Sequence, residues 1–169
     1  VEALLDHLGL TENVTLVVHD WGGMIGMATA VRRPERIKRI VAINTGAFPL
    51  PKAKRFPRSL WWGRNTKLGA WLILKQNAFC RAAANWCVAR TKLPADVRAM
   101  YLKPYDSPHH RVAVLKFVQT IPLRETDPGW ATVSDTAASL GKFAKVPTLL
   151  LWGLRDFVFD EHFLADWQR

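Results

Sequence analysis

Apolar residues recur at helical spacing from the first position. Val1, Leu4, Leu5 and Leu8 fall on one face, and Gly9 follows as a stop. The period then changes. Residues 13–20, NVTLVVHD, form a short β-branched run without polar alternation, which predicts a strand buried on both faces. Residues 22–33 are small and apolar, predict a helix, and stop at Pro34. IKRIVAIN predicts a second buried strand over 39–43. Strand, helix and strand in so short a stretch make a βαβ unit, with parallel strands and a right-handed crossover.

From Thr45 the pattern loses this regularity. TGAFPLPKAKRFPRSLWWGRN is rich in Pro, Lys, Arg and aromatic residues, and helical spacing returns over 66–90, 94–103 and 108–120. Near the end, SDTAASLGKF predicts a capped helix and 146–152, VPTLLLW, a third buried strand. DEHFLADWQR predicts a final helix with Asp160 as N-cap. The fold class expected is α/β, with three adjacent parallel strands, flanking helices and an inserted, mostly helical cap. The divisions are 1–47 for the first part of the core, 48–130 for the cap and 131–169 for the second part of the core. No internal repeat or low-complexity tract interrupts this order.

Composition adds limits. No apolar run approaches the roughly 18 residues that span a bilayer, and the opening ten residues read as an amphipathic helix rather than a leader. The chain opens without Met and inside a helical pattern, which predicts a piece of a longer protein. Cys80 and Cys87 are seven residues apart, two helical turns, so both can face one core as reduced thiols of a cytoplasmic protein. Their spacing, with no His pair, matches no zinc site, so no metal or cofactor is expected.

The net charge of +10 is unevenly spread. Residues 1–30 contain no Lys or Arg, whereas 31–119 contain 19 against three acids. Such a block suits a solvated surface, or an anionic one such as a membrane face or an acidic protein. Nucleic acid is not an expected partner, because no zinc finger or recognition-helix pattern accompanies the charge.

One residue sits oddly in this pattern. Asp20 ends a β-branched run and precedes Trp21, Gly22 and Gly23. Asp is a poor strand residue and a costly charge to bury. It can cap the following helix, or it can do chemistry. A strand, a tight turn carrying one reactive group, then a helix is the nucleophile-elbow arrangement, usually G-x-S-x-G. Here the slot holds Asp, which is ionised near neutral pH and can displace a leaving group without first losing a proton. A cap alone would explain the Asp but not the glycines that follow. A second acid, Asp156, follows the third strand in WGLRD, at the carboxyl end of a parallel strand, where open α/β sheets place function.

HDWGG and WGLRD resemble the motifs of the haloalkane dehalogenase and epoxide hydrolase branch of the α/β-hydrolases. The resemblance implies that Asp20 is the nucleophile, that Asp156 orients a catalytic His, and that Trp21 holds the leaving halide or developing anion. It places that His beyond another helix and strand. His7, His19, His109, His110 and His162 do not fit the role, so this stretch alone is expected to be inactive. NTGAFPLPK, YLKPYDSPHHRVAVLKFVQTIPL and WGLRDFVFDEHFL resemble the β-lactone decarboxylases of bacterial long-chain olefin biosynthesis. Those enzymes convert a cis-dialkyl β-lactone to an alkene and carbon dioxide. This implies a small hydrophobic substrate, contact with other enzymes of the olefin pathway, and peripheral membrane association through the basic cap. Trp61, Trp62, Trp71, Phe79 and Trp86 are the candidate alkyl-chain contacts, although the same residues would suit any helical cap core.

Haloalkane dehalogenase is the alternative, with the same Asp20, Trp21 and Asp156. An epoxide hydrolase would need two converging cap tyrosines, whereas Tyr101 and Tyr105 lie four apart on one predicted helix. A non-catalytic basic binding module would explain the charge but neither motif.

Overall fold

The computed structural model describes residues 1–169. They divide into two compact units, one of residues 1–55 with 122–169 and one of residues 56–121.

The first unit holds a three-stranded parallel sheet in the order β1-β2-β3: β1 (Val14–Asp20), β2 (Ile37–Thr45) and β3 (Thr148–Leu151). Helix α1 (Glu2–His7) precedes β1 and ends before Gly9, whose φ of 67° closes the turn. Helix α2 (Trp21–Ala30) crosses from β1 to β2, as the βαβ pattern requires. β2 is longer than its predicted centre and is the best-covered strand, with Ile37, Ile40, Ala42, Asn44 and Thr45 buried.

The expectation of strands buried on both faces fails for β1 and β3. Leu16 and Val18 of β1 pack toward Gly26 of α2, while Val17 on the opposite face is 60% exposed. Leu149 and Leu151 of β3 are also exposed. The physical reason is that a run of Val and Leu reports the propensity for a pleated surface rather than its coverage. The core gathers below the centre of the sheet, where Met27, Ala30, Ile37 and Ile40 meet Phe48, Phe143, Phe159 and Phe163.

Gly23 and Gly26 let α2 lie against the sheet, whereas Gly22 is not needed for it. A Cβ on Gly23 would stand 2.0 Å from Thr45 Oγ1 and 2.6 Å from the Gly46 carbonyl oxygen, whereas a Cβ on Gly22 would meet nothing within 4 Å. Gly23→Ala is therefore expected to cost about 2–3 kcal/mol through overpacking against backbone. Gly22→Ala should be neutral or slightly stabilising, because Ala is the better helix former. Chemical denaturation of the intact protein separates the two.

The C-terminal helices form partly as expected. Helix α8 (Trp130–Ser139) has its N-cap at Gly129, five residues before the Ser134 that opens the predicted capped helix, so Ser134 lies inside it. Helix α9 (Glu161–Trp167) begins as predicted, with the Asp160 carboxylate accepting from the His162 N–H at 3.1 Å.

The second unit is helical: α3 (Arg58–Asn65), α4 (Lys67–Gln76), α5 (Ala78–Trp86), α6 (Ala95–Leu102) and α7 (Val112–Gln119). The Pro- and Arg-rich stretch hid α3. The expected helix over 66–90 is broken at Asn77, whose φ of 53° ends α4 and starts α5. Ile73, Leu115 and Val118 form this unit's own small core. The buried Arg111 guanidinium ties it together, donating to the carbonyl oxygens of Tyr105 at 2.7 Å and Leu74 at 2.5 Å. Cys80 is half-buried and Cys87 is exposed at the end of α5, so the two thiols do not share one core. No helix of the chain is long and apolar enough to cross a membrane.

Candidate active site

Asp20 stands at the junction of β1 and α2 with φ 50° and ψ −126°. A non-glycine residue with such a backbone stores about 1–3 kcal/mol of strain and persists only where its surroundings over-determine it. They do so here. The hydroxyl of the fully buried Thr45 donates to the Asp20 carbonyl oxygen, and Gly23 admits the start of α2 against the end of β2.

The capping alternative can now be weighed. An N-cap side chain accepts from an amide two or three residues into the helix. The Asp20 carboxylate makes no such bond. Solvent reaches the residue, yet enough protein surrounds the carboxyl to push it above its ordinary value of 3.8 by desolvation. The Trp21 backbone N–H and His19 pull in the opposite direction, and the Asp156 charge adds to the rise. The junction therefore presents a partly dehydrated carboxylate that is not spent on the helix, close enough to Asp156 to feel its charge.

Asp156 lies in the loop after β3. Its Oδ1 accepts from the backbone N–H groups of Val158 at 2.7 Å and Phe159 at 3.0 Å, and its own N–H donates to the Gly153 carbonyl at 3.1 Å. Arg155, the adjacent cation, is not what holds this carboxylate; the backbone is. The competing acid, Asp160, is committed elsewhere. It caps α9 and pairs with Lys54, whose ammonium is 7% exposed and also donates to the Phe157 carbonyl at 2.7 Å. Two acids four residues apart thus have separate partners: Asp160 caps α9 and pairs with Lys54, and Asp156 is held by the backbone of its own loop.

Two residues not singled out by sequence reasoning complete this arrangement. Asn44 Oδ1 accepts from the Gly153 N–H at 2.7 Å, and its Nδ2 donates to the carbonyls of Gly153 at 3.1 Å and Phe159 at 3.0 Å. Thr45 holds the elbow through its hydroxyl, and its carbonyl accepts from Trp167 Nε1 at 2.9 Å. The available signal was a polar pair, Asn-Thr, closing the apolar run of β2 at the carboxyl end of the sheet.

The remaining candidates fall in two places. Trp21 is half-buried as the first residue of α2, beside Asp20. Trp61, Trp62, Trp71, Phe79 and Trp86 belong to the helical unit, on α3, α4 and α5. All five are exposed, Trp86 by 82%, and none joins that unit's core. Tyr101 is on α6, but Tyr105 falls in the turn beyond it rather than on the same helix.

Comparison with known proteins agrees with this geometry. The chain is 55% identical over 168 residues to the cis-3-alkyl-4-alkyloxetan-2-one decarboxylase of Shewanella oneidensis, covering 99% of this chain and 53% of that protein. It is 44% identical over 169 residues to the protein of the same name from Xanthomonas campestris pv. campestris, covering 100% of this chain and 56% of that protein. Among solved structures, a point mutant of the haloalkane dehalogenase DatA from Agrobacterium tumefaciens matches with a TM-score of 0.82 at 25% identity, over 99% of this chain and 58% of that one. The chain spans about half the length of the curated relatives it matches. The profile of the alpha/beta hydrolase fold matches residues 1–169 from end to end. With a parallel sheet, an acid-bearing elbow at the end of β1 and a second acid after β3, the chain belongs to the alpha/beta hydrolase fold family.

Proposed function

We propose that Asp20 is the nucleophile of an enzyme that converts a cis-3,4-dialkyl β-lactone, an oxetan-2-one, to an alkene and carbon dioxide. The observation that carries this reading is the strained elbow, which presents a carboxylate that does not cap α2 and is partly dehydrated by the protein around it. The relatives named as oxetanone decarboxylases support the substrate class.

The chemistry balances without an external reagent. Attack of Asp20 on the ring carbon bearing oxygen opens the strained ring, forming an ester and freeing the lactone carboxylate. Loss of carbon dioxide leaves its bonding electron pair to form the C=C bond, and the Asp20 carboxylate departs. Attack at the lactone carbonyl is the other way to open the ring. Trp21, the first residue of α2 beside Asp20, would hold developing negative charge with its indole N–H. Trp61, Trp62, Trp71, Phe79 and Trp86 offer exposed apolar surface for two alkyl chains, at about 25 cal/mol per Å² buried. The basic residues of 31–119 suit peripheral contact with an anionic membrane surface or with acidic faces of partner enzymes of olefin biosynthesis.

A halide-releasing reading uses the same Asp20 and Trp21, and the likeness to a solved haloalkane dehalogenase makes it the comparison to run. The test is incubation of the intact protein with a long-chain cis-β-lactone and gas chromatography for the matching alkene. Alkene formed by the wild type but not by Asp20→Asn is the expected result. Halide release from a 1-haloalkane with no alkene would transfer the assignment to dehalogenation.

A further inference from the structure

β1 slips once against β2 at its start, between Val14 and Thr15, and then runs in register from Thr15 to His19. His19 opposes Ile43, but Asp20 opposes Thr45, so Asn44 is an extra residue on β2. Its φ of 32° lies in the left-handed region, which Asn tolerates better than most side chains. This is a β-bulge, rare between parallel strands, and bulges re-aim side chains beside functional sites. Here the extra residue has two consequences. It puts Thr45, rather than residue 44, opposite Asp20, where the Thr45 hydroxyl reaches the Asp20 carbonyl. It also turns the 7% exposed Asn44 side chain the other way, into the loop after β3.

The Asn44 amide is fully used there. Its oxygen takes the Gly153 N–H, and its nitrogen spans the Gly153 and Phe159 carbonyls. Those two residues bracket Asp156 in the chain. The Asp156 carboxylate in turn holds the N–H groups of Val158 and Phe159. Asn44 therefore fixes both ends of the loop that carries the acid, while its neighbour Thr45 fixes the backbone that carries the nucleophile. The two attachments are made by adjacent residues of one buried strand end, so the spacing of the two carboxylates is set by a single peptide unit.

We infer that the Asn44 bulge is a positioning element that sets Asp156 relative to Asp20, acting through the loop from Gly153 to Phe159. The inference rests on the assignment of Asp20 and Asp156 proposed above. Carbonyl and amide groups held at a loop's two ends remove its freedom to rotate the acid, and loss of such outer contacts typically costs 10–100-fold in activity.

The decisive variant is Asn44→Gly, which keeps the left-handed backbone available and removes only the side-chain bonds. In the intact enzyme kcat should fall about 10–100-fold with KM within about two-fold. In an Asp156→Asn background the same change should lower kcat by less than about two-fold, because both act through one group. A full further loss in that background, or an unchanged kcat in the single variant, overturns the inference. A second readout does not depend on substrate. Hydrogen exchange at the Val158 and Phe159 amides should quicken at least about tenfold in Asn44→Gly, with amides of β1 and β2 unchanged. Unchanged exchange at those two amides overturns the inference even if the wild type turns over neither lactone nor haloalkane, an outcome that would itself remove only the functional assignment.

Discussion

Asp20→Asn lowers turnover by about 10⁴-fold or more while leaving the fold intact. Loss of a nucleophile is among the largest single effects in enzymes that form a covalent intermediate. The amide is close in size, tolerates the same left-handed backbone, and leaves the Thr45 contact to the Asp20 carbonyl untouched. What it removes is the charge and the nucleophilic oxygen. The same variant carries a second, opposite signature in stability. The folded state raises the Asp20 carboxyl above 3.8, mainly by desolvation, so the native protein binds this proton more tightly than the unfolded chain does. The stability linked to Asp20 therefore falls as pH rises through the window between 3.8 and the raised native value. Asn has no such loss. Asp20→Asn should melt higher than wild type at pH 7, and the gap should close as pH drops below 3.8. Thermal melts at the two pH values check this beside the kinetic assay. A variant that is inactive but less stable at pH 7 would assign Asp20 a structural role instead.

Asp156→Asn is expected to lower kcat/KM by about 10⁴-fold, the scale seen when an orienting acid becomes its amide. The substitution is informative because Asn retains Oδ1, the atom that accepts from Val158 and Phe159. The loop keeps its hydrogen bonds, and only the charge and the second carboxylate atom change. The histidine expected from the family resemblance would then lose the partner that holds it and balances its charge. Asp160→Asn is the matched control. It breaks the part-buried pair with Lys54, so it should cost about 2 kcal/mol of stability. Its effect on kcat/KM should stay within about tenfold for whatever fraction remains folded. Reversal of the two phenotypes, with Asp160 the larger kinetic effect, would move the orienting acid from 156 to 160.

How far the sequence could be read depends on the range of each determinant. Asp160 as the cap of α9 was legible because capping is settled within three residues. The elbow was legible because β-branched residues before Asp20 and glycines after it are a local signature. Asp156 followed from the strand that precedes it. The bulge was not legible: nothing in AINT says which residue will be extra until β1 lies alongside. Coverage of the strands was misjudged for the same reason, since Val17 and Leu149 have strand propensity whatever covers them. Ser134 lost its place as a cap because Gly129, upstream, could already turn the chain into a helix. In the 56–121 unit the break at Asn77 overrode a pattern that reads as one continuous helix.

The chain leaves the first unit just after Lys54 and re-enters it at Pro122. The elbow, the acid loop and the Asn44–Thr45 pair all lie outside the stretch between, and the last residues before the exit are secured by the part-buried Lys54–Asp160 pair. Asp20 and Asp156 on the one hand, and the exposed aromatic surface on the other, are thus written in separate segments of the gene. Mutations, or whole exchanges, in 56–121 can accumulate without altering the spacing of the two carboxylates. Under the function proposed above, substrate fit and bond chemistry would be encoded in different stretches of the chain, so exchange of 56–121 alone is the way to change the first while keeping the residues of the second.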